Sequence, residues 1–150
     1  MRKLLLLFLI VLLLLAGCSG DSPSASESDI IEISERFFIL EVQEIQLNPE
    51  DYLGRTIRYE GVFRSVYWAA TDRYFHFVLR YTDDCCGLDG GVVGFEVYFE
   101  DGHAPVEADA WVEVTGILGR YEEDGRRLLR LLVTSMTELE TRGAEVVSLR

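Results

Sequence analysis

Lysine is almost missing from this 150-residue chain. Lys3 is the only one. With no lysine past residue 3, imine chemistry and a phosphate-cradling P-loop are both excluded. The sequence contains no Gly-x-x-x-x-Gly-Lys, no Gly-x-Ser-x-Gly and no His-Glu-x-x-His. Histidine is scarce as well, limited to His76 and His103, and there are three cysteines. No residue set here forms a self-sufficient catalytic group, so the chain reads as non-enzymatic, with no catalytic residue assigned. Positive charge is also short: 14 Lys and Arg face 26 Asp and Glu, a formal net charge of −12. A field of that sign repels nucleic-acid phosphates and anionic headgroups, so nucleic acid is excluded as a partner.

One long apolar run is present, Leu4 to Leu15, directly after Met1-Arg2-Lys3. As a helix it would rise about 18 Å, short of the roughly 30 Å of a bilayer core. A positive start and a short apolar run read as a secretory signal. The run closes on Leu15-Ala16-Gly17-Cys18, which resembles the lipobox of bacterial lipoproteins. That resemblance implies cleavage after residue 17 and lipidation of Cys18. The protein is then expected on the extracytoplasmic side of the cell membrane, held by a lipid anchor. Loss of Arg2 and Lys3 takes the formal charge from −12 to −14. Residues 18–29 continue as Ser-Gly-Asp-Ser-Pro-Ser-Ala-Ser-Glu-Ser-Asp after Cys18, with no large apolar side chain to bury. They read as a flexible tether with a reach of about 18 Å. Residues 30–150 are long enough for one domain with its own core.

Within that domain, period-two alternation dominates. Thr56 to Phe63 places Ile57, Tyr59, Gly61 and Phe63 on one face, and Val66-Tyr67-Trp68 continue it after an expected bulge. Tyr74 to Tyr81 sets Phe75, Phe77, Leu79 and Tyr81 against Tyr74, His76, Val78 and Arg80. Val93 to Phe99 and Trp111 to Leu118 alternate in the same way, and Leu128 to Val133 returns from the hairpin signal Asp124-Gly125. Ile30 to Ile33 reads as an edge strand. Ser34 is the expected cap of a helix starting at Glu35-Arg36, and Asn48-Pro49 the start of a one-turn helix closed by Gly54. The charged stretch Ser135 to Arg150 is expected to fray after a short strand or turn. The expected fold class is all-β: a small, OB-like barrel of about five main strands, with one or two short N-terminal helices.

Several segments recur together in one family: Asn48-Pro49-Glu50-Asp51-Tyr52-Leu53-Gly54, Glu60-Gly61, Phe77-Val78-Leu79-Arg80, Cys85-Cys86 with Asp89 and Gly94, and Trp111-Val112-Glu113-Val114-Thr115-Gly116. On these the chain resembles the C-terminal OB-like domain, of unknown function, of a bacterial family of predicted permease subunits. The resemblance implies association with membrane transport. The family has membrane helices ahead of this domain, where this chain has a lipobox and tether.

The adjacent pair Cys85-Cys86 lies among Asp83, Asp84, Asp89 and four glycines. Three readings stay open. The thiolates, with Asp89 or Asp84, could hold zinc or another soft metal such as copper; the pair could form a strained, easily reduced vicinal disulfide; or both could simply pack. His76, nine residues upstream, is too far along its strand to ligate the pair. Outward aromatics, with Leu88 in the connection, suggest a partner face built on Trp68, Leu88 and Trp111. The expectation is a surface lipoprotein acting as an accessory or ligand-binding subunit beside a membrane permease. The alternative is a thiol-based metal-binding or redox protein working through Cys85 and Cys86.

Overall fold

The computed structural model describes residues 29–83 and 90–148. Seven strands form one sheet: β1 (Ile30–Glu32), β2 (Thr56–Trp68), β3 (Arg73–Thr82), β4 (Val92–Tyr98), β5 (Trp111–Glu123), β6 (Arg126–Glu138) and β7 (Val146–Val147). One helix, α1 (Phe38–Leu47), precedes β2 and is followed by the 3-10 turn Pro49–Asp51. The sheet runs β1-β2-β5-β6-β4-β3-β7, and a further β2–β3 pairing closes the five central strands into a barrel. Four of its five seams are antiparallel and the fifth, β4 with β6, is parallel. This is the Greek-key barrel of the OB type, an all-β fold as the alternation implied.

Closure depends on β2 serving two neighbours. Thr56 to Val62 pair with β5, and Val62 to Trp68 pair with β3. The strand passes from one to the other without the bulge expected after Phe63. Gly61 sits just before the handover, where a Cβ would lie 2.9 Å from the Leu79 carbonyl oxygen. Gly94 is tighter still: a Cβ there would lie 2.2 Å from the carbonyl oxygen of Val78. Nearby, the buried Tyr59 hydroxyl donates to that same Val78 carbonyl (2.8 Å) and accepts from Phe95 N–H (3.3 Å). Burial pushes the Tyr59 hydroxyl well above its ordinary pKa, so it remains protonated as a donor. The one register irregularity falls between Thr115 and Gly116, opposite Thr134 of β6.

The interior is filled by the barrel's own side chains, including Ile57, Phe63, Val78, Val97, Val114 and Leu131. α1 adds Phe38, Ile39, Val42 and Ile45 to the same core. The helix begins at Phe38, three residues later than expected. Ser34 makes no cap; instead, its backbone N–H and hydroxyl both donate to the Glu41 carboxylate (2.7 and 3.2 Å). Asn48 also lacks a side-chain cap bond, its amide donating back to Glu44 (2.9 Å). Gly54 takes the expected left-handed conformation. The hairpin prediction holds: Glu123 pairs with Arg126 across Asp124-Gly125, both at positive φ as a primed turn requires.

The C-terminal third is more ordered than its charge suggested. β6 runs to Glu138, and after a short excursion Val146 pairs with Tyr81. The returning segment covers Trp111, which is 1% exposed; a Cβ on Gly143 would lie 2.9 Å from its ring. Trp111 therefore offers no partner face, in contrast to its expected role. Its indole N–H donates to Glu60 (3.1 Å), and the ring stacks under the guanidinium of Arg80 (4.9 Å).

Arg80 is 2% exposed and is the one buried charged residue among those described. Its guanidinium lies between the rings of Phe38 (4.6 Å) and Trp111. It donates to the carbonyls of Glu60 (2.8 Å) and Ala144 (3.3 Å) and pairs with Glu35 (3.4 Å). Desolvation lowers its pKa and the Glu35 carboxylate opposes that shift. Replacing Arg80 with Ala should cost about 3 kcal/mol or more in urea unfolding, as expected when a buried, hydrogen-bonded charge is deleted. Arg120→Ala, which breaks an exposed pair with Glu50, should cost less than about 1 kcal/mol.

Candidate functional site: a groove where the barrel is open

β3 has two apolar faces. Val78 and Arg80 point into the packed end of the barrel, whereas Phe75, Phe77 and Leu79 point outward and are only half-buried. A strand with one wet face normally shows polar residues there. The outward stripe instead forms the floor of a groove of about 690 Å³. Ligand clefts commonly fall between about 300 and 1,000 Å³.

The strand lengths explain why the groove opens. β5 and β6 are 13 residues each and extend together to the hairpin at residues 124–125. β4 has only seven residues, and it pairs with β6 from Glu96 to Tyr98 alone. Above that point, the two strands part. The gap is walled by Leu128 and Tyr121 on one side and by the end of β2 on the other, where Val66 and Trp68 stand. Trp68, expected to belong to a partner face, is 56% exposed and stands on the rim of the groove.

A polar cluster crosses the outer face beside the floor. The Tyr121 hydroxyl donates to the Glu96 carboxylate. Arg130, the register partner of Glu96, lies over the rings of Tyr98 (4.0 Å) and Tyr121 (4.6 Å). Burial raises the Glu96 pKa above the usual carboxylate range, while the Tyr121 hydrogen bond and Arg130 oppose the rise. Burial and the same carboxylate push the Tyr121 hydroxyl up. At the mouth, Arg73 pairs with Glu123 and lies over Phe75 (4.4 Å). This surface can take an elongated, partly apolar ligand and offer it charged groups of both signs at one end.

Alternation alone missed the cluster. It placed Glu96 and Tyr98 outward correctly, but their meeting with Tyr121 and Arg130 needs the parallel β4–β6 seam, which joins residues about 30 apart in sequence. The thiol site fares differently. Cys85, Cys86, Asp84, Asp89 and Leu88 lie outside the described residues, as does Cys18. Asp83 is described: it is exposed, and its N–H donates to the Val147 carbonyl (3.2 Å). His76 is described as well. Its ring stacks on Phe63 (5.6 Å) and meets Phe99 edge-on (5.7 Å), and burial lowers its pKa. Among the described residues no cluster of His, Cys, Asp and Glu is arranged to hold a metal.

Comparison with known families places this architecture. Residues 19–145 match the DUF1980 C-terminal domain. The chain belongs to that family. It is a family of unknown function, so membership carries no reaction with it. No curated protein matches the chain. Within this DUF1980 domain, the groove is the feature that alternation, strand length and exposed aromatics all converge on.

The Glu96–Tyr121 contact can be tested directly. Because the Tyr121 hydroxyl stabilises the charged form of Glu96, Tyr121→Phe should raise the Glu96 pKa further. Carboxyl-carbon NMR titration of Glu96 in the two proteins would measure it; an unchanged or lowered value would contradict the assigned bond.

Proposed function

We propose that this domain is a membrane-anchored binding module without catalytic activity of its own, and that it receives a partner or ligand in the β3–β4–β6 groove beside a membrane permease. The outward stripe of Phe75, Phe77 and Leu79 carries this reading. Those side chains are not needed to fill the core, which Val78, Phe95, Val97 and their neighbours complete. Apolar and aromatic side chains held at an accessible cleft are the usual anchors of recognition. The lipobox-like Leu15-Ala16-Gly17-Cys18 and the short acidic tether support residence at the extracytoplasmic membrane surface. A tether reaching about 18 Å restricts the domain to partners at that surface. Similarity to the permease-subunit family supports a permease as the neighbour.

Two measurements test the proposal. Wild-type protein expressed in a bacterial host should enter the detergent phase and incorporate a labelled fatty acid. Cys18→Ser should do neither, and unchanged partitioning would remove the anchor from the proposal. Separately, a photo-crosslinking residue at Trp68 should capture an integral membrane protein in intact cells, while one at Glu107, on the connection beyond the far end of β4, should not. Capture from Glu107 alone would move the docking face away from the groove.

A further inference from the structure

α1 has a second apolar side. Phe38, Val42 and Ile45 face the core, yet Phe37, Leu40 and Leu47 stay exposed. Leu40 and Leu47, seven residues apart, lie on one line of the helix, and Phe37 precedes Leu40 by almost a turn. Leu47 is 77% exposed, the most open large apolar side chain among those described. An aligned apolar stripe on a helix that already has its core face marks a contact surface.

The chain enters the domain beside this stripe. β1 follows residue 29 directly, and its Ile31 lines a depression of about 500 Å³ together with Phe37, Leu40, Ile45 and Tyr52. Twelve peptide steps separate Cys18 from Ile30. They span about 40 Å at full extension and about 18 Å as a flexible chain. A lipid on Cys18 therefore keeps β1 and the neighbouring stripe within reach of the bilayer. Ile30 pairs with Thr56 at the start of β2, whereas Trp68 ends that strand. The twelve residues between them cover about 40 Å along the strand.

Charge around the stripe fits a headgroup that carries both signs. Arg36 lies over the ring of Phe37 (5.1 Å), at one end. Glu41 and the exposed Glu44 flank Leu40 and Leu47. Both carboxylates also accept from neighbours, Glu41 from Ser34 and Glu44 from Asn48. A zwitterionic phospholipid offers a phosphate to Arg36 and an ammonium to Glu44. A purely anionic surface would meet the two carboxylates with like charge.

We infer that the Phe37, Leu40 and Leu47 side of α1 rests on the bilayer, in contact with zwitterionic phospholipid, and leaves the Trp68 rim of the groove in water. This rests on the anchored reading above and adds to it the face turned to the membrane. Aligned along the helix, the three side chains enter the headgroup boundary together, as in helices that lie along an interface.

The test uses full-length, lipidated protein in vesicles of phosphatidylcholine brominated on its upper acyl carbons, which quench indole emission on contact. Flotation with the vesicles reports the anchor, and emission reports the face. Wild type should float and keep its emission, because Trp111 is buried and Trp68 ends β2 away from β1. L47W/W68F should float and lose about half of its emission, its new indole lying about 5–10 Å into the boundary. Adding Leu40→Glu should return much of that emission, as should brominated phosphatidylglycerol in place of phosphatidylcholine. The inference is overturned if L47W/W68F floats with full emission, if wild type is quenched as strongly, or if Leu40→Glu or the anionic lipid changes nothing. Failure of wild type to float removes the anchor and this inference with it. Flotation without quenching removes the inference alone.

Discussion

Much of this structure hangs on one buried arginine. Arg80 gathers α1 through Phe38, β2 through the Glu60 carbonyl, β5 through Trp111, the segment before α1 through Glu35 and the C-terminal segment through Ala144. A guanidinium suits this position because its planar face stacks on rings while its edge donates several fixed bonds. Removing it from water is costly, and the two carbonyls, the carboxylate and the two rings offset that cost. The same contact set explains why the chain segments outside the barrel are ordered. β1 lies beside the start of β2 and β7 beside the end of β3, both segments drawn to the Arg80 end of the barrel.

With that end closed, the outward stripe of β3 still carries apolar surface at the opposite side of the strand. Barrel side chains and α1 together fill the interior, and the outward residues of β3 stay only partly covered. The groove is a consequence of unequal strand lengths. A seven-residue β4 cannot follow β6 along its full 13 residues, and the long β5–β6 hairpin projects past it. Barrel closure and the groove therefore share one cause: the short parallel seam that closes the barrel also leaves it open above Glu96.

A good part of this was legible in the residues. Alternation in Ile57–Phe63, Phe95–Phe99 and Val112–Leu118 named the inner faces correctly, because a barrel imposes one periodicity along each strand. Asp124-Gly125 fixed a hairpin because only a primed turn matches the twist of its strands. Trp68 was recognised as an exposed aromatic. Trp111 was not recognised as buried, since the segment that covers it arrives some 30 residues later in the chain. The cap expected at Ser34 failed for a related reason: Glu41 reached back to satisfy Ser34, and the helix began where Phe38 could enter the core.

What the sequence determined by itself was local. It set strand periodicity, the turn at residues 124–125, the left-handed Gly54, the acidic balance and the near absence of lysine. These depend on neighbouring residues or on composition, and tertiary contacts do not alter them. Tertiary structure decided which of the two apolar faces of β3 would be core, since either satisfies the alternation. It also brought Glu96 to Tyr121 and Arg130 and left one edge of β6 without a described neighbour before Arg130. Those outcomes depend on which strands become neighbours when the barrel closes. Strand pairing is non-local, and the energy that selects it comes from burying Val78 and the other core side chains against residues distant in the chain.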